Sequence, residues 1–313
     1  MVTALVTGGA GFIGSALVRR LLAEGAAVRI LDDLSSGRLA NLAGLEDRVV
    51  LLRGDVRDPA AVVAATRGAD QVFHLAAVAS VQRSLADPLG THAVNVGGTV
   101  TVLEAARRAG VARVVLACSA AAYGRNPDLP LGEDAATAPI SPYGLHKVTA
   151  ERYGALYTTE RGLPVTALRF FNVYGPRQDP RGEYAAVVPR FLEAMAAGQA
   201  PVIYGDGTQT RDFCYVEDVT RALLLAATAP GAPGAVVNVA GGRETSLLDL
   251  VAALNRVLGT TLDPRFAAAR AGDIHRSVAR VDRGREVLGF TAAVGLEEGL
   301  ARTLAAGRED GGC

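Results

Sequence analysis

The stretch Val2-Thr3-Ala4-Leu5-Val6-Thr7-Gly8-Gly9-Ala10-Gly11-Phe12-Ile13-Gly14 decides the fold. An apolar run with β-branched residues leads into a glycine turn, and apolar residues then recur at helical spacing as far as Ala23. Gly8, Gly11 and Gly14 stand where a strand gives way to a helix. One glycine tightens the turn, another lets backbone approach a pyrophosphate, and the third lets helix and strand pack closely. The free N–H groups of the helix start then face the phosphates. Glycines alone are a weak signal, but the strand before and the helix after make this a dinucleotide-binding turn that includes Phe12 and Ile13.

Outward from that turn the pattern repeats. Strands rich in Val, Leu and Ile are predicted at 4–7, 28–32, 49–53, 71–75, 113–118 and 165–170, with helices near 13–23, 60–66, 88–109 and 143–161. This alternation predicts an α/β fold with a doubly wound parallel Rossmann sheet, its domain spanning residues 1–170. Residues 171–306 carry more turn signals and read as mainly a smaller mixed α/β substrate-binding lobe, with some segments returning to the first domain. Helices are predicted there near 185–197, 216–227, 247–257 and 283–288, and residues 307–313 read as a flexible tail.

Lys plus Arg and Asp plus Glu balance at 32 each. A neutral chain gives no broad field for nucleic acid or an anionic membrane, so neither is expected as a partner. No leader pattern opens the sequence, and no apolar run reaches the length of a membrane span. Cys118, Cys214 and Cys313 are scattered and lack metal-ligand spacing, so a reducing, cytoplasmic setting with free thiols and no metal is expected.

The second strand ends in Leu31-Asp32-Asp33, roughly twenty residues past the glycine turn, where a carboxylate accepts hydrogen bonds from a ribose. Asp32 would repel a 2′-phosphate, which favours NAD over NADP. Asp55 and Val56 end the third strand and are placed to cover the adenine. His74-Leu75-Ala76-Ala77 ends the fourth, and its small residues leave room for a flat ring. His74 reads as packed rather than as an acid or base.

Ser141-Pro142-Tyr143-Gly144-Leu145-His146-Lys147 carries the chemistry. A helix starting here puts Lys147 one turn beyond Tyr143 on the same face. A phenol is a poor base near neutrality, and an ammonium beside it favours the phenolate. The pair can therefore take a proton from a hydroxyl and return it. Lys147 is the only lysine in the chain; every other basic residue is arginine, whose planar fork cannot replace a compact ammonium. Ser119, at the end of the fifth strand, is placed to share the substrate proton.

Taken together, the glycine turn, His74–Ala77, Ser119 with Tyr143-x-x-x-Lys147, Arg169-Phe170-Phe171-Asn172-Val173-Tyr174-Gly175-Pro176 and Arg211-Asp212-Phe213-Cys214-Tyr215-Val216-Glu217-Asp218-Val219 resemble an extended short-chain dehydrogenase/reductase. Nearly the whole chain is similar to the NAD-dependent epimerase/dehydratase family, in particular its UDP-glucose 4-epimerase-like members. The resemblance implies NAD as cofactor, 4-epimerisation of a UDP-sugar (UDP-glucose/UDP-galactose or the N-acetylated pair) through a 4-keto intermediate, and a homodimer. It further implies cofactor contacts at Asp33, Ser36, Gly37, Asn95 and Phe170. Substrate contacts are implied at Ser80, Asn172, Val188, Tyr204, Arg211, Arg270, Asp273 and Ser277, with the two arginines on the diphosphate and Ser277 leaving room at sugar C2. Ala120 and Ala121 stand where dehydrating relatives carry an acidic pair, which disfavours dehydration. The alternatives are another nucleotide-sugar reaction of the family, such as uronic acid epimerisation or reduction, and an NAD-binding protein without catalysis.

Overall fold

The computed structural model describes residues 1–180, 186–269 and 274–309. In chain order the elements are β1 (Thr3–Thr7), α1 (Phe12–Ala23), β2 (Ala27–Asp32), β3 (Val49–Arg53), α2 (Pro59–Thr66), β4 (Gln71–His74), α3 (Val81–Ala86), α4 (Pro88–His92), α5 (Thr99–Arg108), β5 (Arg113–Ser119), α6 (Pro142–Arg161), β6 (Val165–Phe170) and β7 (Asn172–Tyr174). There follow α7 (Val187–Ala196), β8 (Val202–Tyr204), β9 (Thr210–Arg211), β10 (Phe213–Tyr215), α8 (Val216–Thr228), β11 (Val236–Val239), β12 (Thr245–Ser246), α9 (Leu247–Leu258), β13 (Arg265–Ala267), α10 (Asp282–Leu288) and α11 (Leu296–Glu309).

Seven strands form one parallel sheet in the order β11-β6-β5-β4-β1-β2-β3. Both faces are covered, which is why its strands are apolar at successive positions. Ala4 and Val6 join a layer with Leu17 and Val18 of α1 and Val219 and Leu223 of α8. Leu5, between them, faces Val102 and Leu103 of α5 and Ala150 of α6. The chain steps outward from β1 to β3, then crosses back to lay β4 on the other side of β1. That reversal opens a crevice beyond the carboxyl ends of β1 and β4.

Past residue 170 the chain builds a second core around Tyr174, Phe191, Ile203, Tyr215, Leu250 and Leu300. It also returns to the sheet: β11 pairs with β6, while Leu288 and Phe290 enter the α1–α8 layer.

Three details differ from the sequence reading. The helix predicted at 88–109 is two helices joined by a π-helical turn over Ala93–Gly98. A Cβ on Gly98 would lie 2.6 Å from Val56 Cγ2, so the wide turn lets the backbone press against the Val56 side chain. Helices α3 and α11 were not foreseen. Residues Gly307 to Glu309, read as tail, continue α11, and 310–313 lie outside the described residues.

Among the described residues no helix is long and apolar enough to cross a membrane, and no three His, Cys, Asp or Glu gather as metal ligands. Cys118 and Cys214 are buried and free; Cys313 lies outside the described residues.

Candidate active site

The crevice opens into a cleft of about 390 Å³. At one end Gly8, Gly11, Phe12, Ile13 and Gly14 line it. A Cβ on Gly14 would sit 2.1 Å from Gly8 O, so α1 seats on the turn only with glycine there. Gly11 starts α1 with no side-chain cap, and the first turn holds no acidic residue. The positive end of the helix is therefore left for an anion in the cleft.

Asp32, Asp33, Ser36 and Gly37 line the next stretch. Asp32 Oδ2 accepts the Ala10 N–H at 2.9 Å and Oδ1 the Leu34 N–H at 2.8 Å. Burial raises its carboxyl above the ordinary range, and the two N–H groups oppose that. Asp32 thus braces the glycine turn as well as facing the cleft. Asp55 and Val56 follow. The Arg57 fork grips Asp55, with Nε at 2.9 Å from Oδ2, and holds that carboxyl below its usual range.

Leu75, Ala76 and Ala77 form the floor, with Phe170 at the end of β6. His74 is buried out of the cleft. Its Nδ1 lies 2.8 Å from Thr7 Oγ1 and its Nε2 3.0 Å from Thr99 Oγ1. Thr99 spends its proton on Asn95 O at 2.6 Å, so Nε2 must carry the ring proton and Nδ1 accept from Thr7. Burial, helped by the charge of Lys147, pushes the imidazole down to about 3. His74 is a neutral fastener between β1, β4 and α5, as the sequence reading had it.

Asn95, expected at the cofactor, stands against the loop after β4. It is buried, does not line the cleft, and spends Oδ1 and Nδ2 on Val78 N (2.8 Å) and O (3.1 Å). Both polar ends bond the loop after β4 and shape it, and Nδ2 has a second N–H beyond the one given to Val78 O.

At the reactive end, Tyr143 and Lys147 both line the cleft. Ser141 caps α6 by accepting the Gly144 N–H at 3.1 Å, and Pro142 fills the first helical position. These residues fix where the helix begins, and so which face carries Tyr143. Lys147 Nζ donates to Ala117 O at 2.7 Å and lies 5.8 Å from the Tyr143 ring centroid. A Cβ on Gly144 would meet Ala121 O at 2.6 Å, so glycine lets α6 press against the turn after β5. Ser119 stands at that turn; its Oγ accepts the Ala121 N–H at 3.1 Å and keeps its own proton to donate. Ser119 is not among the residues lining the cleft, whereas its neighbours Ala117 and Cys118 are. From α3, Ser84 Oγ accepts the Tyr143 N–H at 3.0 Å.

The residues assigned to substrate lie on the second lobe and its border. Asn172 opens β7, and its Nδ2 donates to Asp212 O at 3.2 Å. Arg211 Nη1 donates to Ile274 O at 2.7 Å, which ties it to the segment carrying half-buried Ser277. Tyr204 ends β8 and is half-buried. Ser80 caps α3 by accepting the Arg83 N–H at 3.1 Å. The Val188 side chain is buried in the second core beside Phe191. Arg270 and Asp273 lie outside the described residues.

Sequence reasoning passed over Arg57, Arg83, Thr91, Ala117 and Cys118, all of which line the cleft. Arg57 had a local signal, an arginine two residues after Asp55. Arg83 and Thr91 had none, because the bend that brings α3 and α4 to the cleft is tertiary.

The sequence profile of the NAD dependent epimerase/dehydratase family matches residues 4–240. A UDP-glucose 4-epimerase of Mycolicibacterium smegmatis is 45% identical over 304 residues, covering 96% of each chain. A UDP-N-acetylglucosamine 4-epimerase of Methanobrevibacter ruminantium, solved in complex with UDP-N-acetylmuramic acid, superposes with a TM-score of 0.94 at 36% identity over 98% of each chain. The UDP-glucose 4-epimerase of Thermus thermophilus, solved with NAD, superposes with a TM-score of 0.88 at 36% identity, covering 98% of this chain and 99% of the other.

Proposed function

The chain belongs to the NAD-dependent epimerase/dehydratase family, and on that premise we propose that it inverts C4 of a UDP-sugar with NAD held in the β1–β4 cleft. One observation carries the reading: Tyr143 and Lys147 line the same cleft as the glycine turn and Asp32. A phenol and an ammonium facing elsewhere would have no substrate to act on.

The residues fit the cofactor. The uncapped start of α1 takes the pyrophosphate, Asp32 the adenosine ribose, and Asp55 with Val56 the adenine. Lys147 spends one N–H on Ala117 O and keeps two for the second ribose. When bound, NAD supplies reversible two-electron oxidation of the sugar carbon. Tyr143, as phenolate, takes the proton of the sugar 4-hydroxyl, and Ser119, half-buried next to the cleft-lining Cys118 with its hydroxyl proton unspent, is assigned the second hydrogen bond to that oxygen. The sugar, now a 4-ketone, presents its other face, and Tyr143 returns the proton. Lys147 stabilises the phenolate charge between these steps. Arg211 and Asn172 hold the nucleotide while the sugar turns. Ala120 and Ala121, in the turn after β5, offer no acid for a leaving hydroxyl, which favours epimerisation over dehydration.

We assign UDP-glucose/UDP-galactose first. The small side chain of Ser277 and the superposition on an N-acetylated-sugar epimerase favour the N-acetylated pair as a second substrate. Leu85, Leu89 and Leu145, on α3, α4 and α6, are exposed apolar side chains that a homodimer contact would cover, which sedimentation tests.

The deciding experiment incubates the protein with UDP-glucose, UDP-N-acetylglucosamine and UDP-glucuronate without added reductant, then identifies the sugars. Formation of the 4-epimer is expected. Tyr143→Phe should abolish it while NAD stays bound; activity matching wild type in that variant would reject the role of Tyr143.

A further inference from the structure

One buried carboxylate next to the substrate arginine plays no part in the chemistry above. Asp212 is fully buried. Its Oδ1 accepts the Gly241 N–H at 2.8 Å, and its Oδ2 accepts those of Gly242 and Ala279, each at 3.0 Å. Its main-chain oxygen accepts both donors of Asn172, the N–H at 3.0 Å and Nδ2 at 3.2 Å. These partners come from three distant places: the turn after β11, the start of β7, and the segment two residues past Ser277. A buried charge held by backbone N–H groups costs desolvation, so its position must be specified by what it organises.

We propose that Asp212 is a positioning residue for the nucleotide sugar, holding Asn172, Arg211 and the Ser277 segment in one preassembled wall. This rests on the epimerase reading of the site. The carboxylate fixes the 277–279 backbone against the end of the sheet. Arg211, its chain neighbour, reaches the same segment through Ile274 O. The nucleotide then meets groups already in place, and binding does not have to order them. The dinucleotide end of the cleft has no share in this network.

The physics of Asp212→Asn makes the test sharp. The amide keeps the volume but turns one oxygen into a donor, which must face either the Gly241 N–H or the Gly242 and Ala279 pair. Losing charge-assisted bonds on one side weakens UDP binding by about tenfold or more. The KM for the UDP-sugar rises with it, while kcat stays within about threefold and NAD affinity is unchanged.

Asp218→Asn is the control. Asp218 is similarly buried and accepts Ala293 N and Val294 N at 3.0 and 2.9 Å and Arg221 Nη2 at 2.8 Å, none of them a substrate residue. It should lower thermal stability and leave UDP affinity alone. Should Asp212→Asn fail to fold, Ala279→Pro removes a single N–H from the same carboxylate and should weaken UDP binding in the same direction. UDP and NAD affinities are measured by calorimetry on each full-length protein. Wild-type UDP affinity in Asp212→Asn, or an equal loss in Asp218→Asn, overturns the positioning role. A wild-type protein that binds no UDP overturns the functional reading itself, which is a separable failure.

Discussion

Replacing Lys147 by methionine keeps most of the aliphatic stem and removes the chain's only side-chain ammonium. Nζ lies 5.8 Å from the Tyr143 ring centroid. With the ring centroid taken as the centre of the phenolate charge, opposite unit charges at about 6 Å attract by about 3 kcal/mol at an effective dielectric near 20. The neutral phenol gains none of that attraction, so the whole of it is lost from the phenolate that does the chemistry. At about 1.4 kcal/mol per decade, kcat should fall on the order of 100-fold. The ribose contact is lost as well, so the assay needs saturating NAD: initial rates of UDP-galactose conversion read through a coupled UDP-glucose dehydrogenase. Lys147→Arg keeps the charge but cannot place a single compact donor at Ala117 O, now 2.7 Å from Nζ. It should fall between methionine and wild type. A methionine variant within about threefold of wild-type kcat at saturating NAD would refute the electrostatic account of the pair.

Glu151, one turn beyond Lys147 on α6, forks onto Arg169 with bonds of 2.9 and 2.8 Å, both side chains nearly fully buried. Glu151→Ala strands that guanidinium and should cost about 3–5 kcal/mol, seen as a fall in Tm of roughly 5–8 °C by calorimetry; a fall under about 3 °C would show the arginine solvated otherwise. His74, depressed to about 3, is neutral when folded and gains a proton on unfolding below its ordinary value near ~6.5. Its contribution is therefore complete above that value and lost at about 1.4 kcal/mol per pH unit as pH falls towards 3. Asp212 acts in the opposite sense. Burial raises it to about 6, so its contribution is complete below the ordinary carboxylate value and lost as pH rises through 6. The two slopes offset each other between about pH 4 and 6. His74→Gln should remove the destabilising limb, so unfolding free energies measured across this window should rise on acidification relative to wild type; parallel curves would count against a neutral, buried His74.

Much of the dinucleotide half was legible in advance. The glycine turn, Asp32, Asp55–Val56 and Leu75–Ala77 all follow strands that the apolar pattern locates, and strand ends on one edge of a parallel sheet share a crevice. Tyr143 and Lys147 were legible because their relation is internal to one helix. The surroundings of Asn95 and Val188 were not legible, because packing gives the Asn95 amide to the loop after β4 and the Val188 side chain to the second core. The π-helical turn at 93–98, which separates α4 from α5, had no signal in the apolar spacing.

What the sequence by itself determined is whatever backbone stereochemistry fixes over a few residues: a strand ending in glycines, a helix beginning at Ser141-Pro142, and an ammonium one turn from a phenol. What only the tertiary structure decided is which distant groups meet. Ser84 supports Tyr143 from 59 residues away, Arg169 is neutralised by Glu151, and Asp212 gathers Gly241, Gly242 and Ala279. Local geometry follows from torsional preferences that each residue carries with it. Long-range pairs depend on how whole layers close over one another, and no short window of sequence contains that.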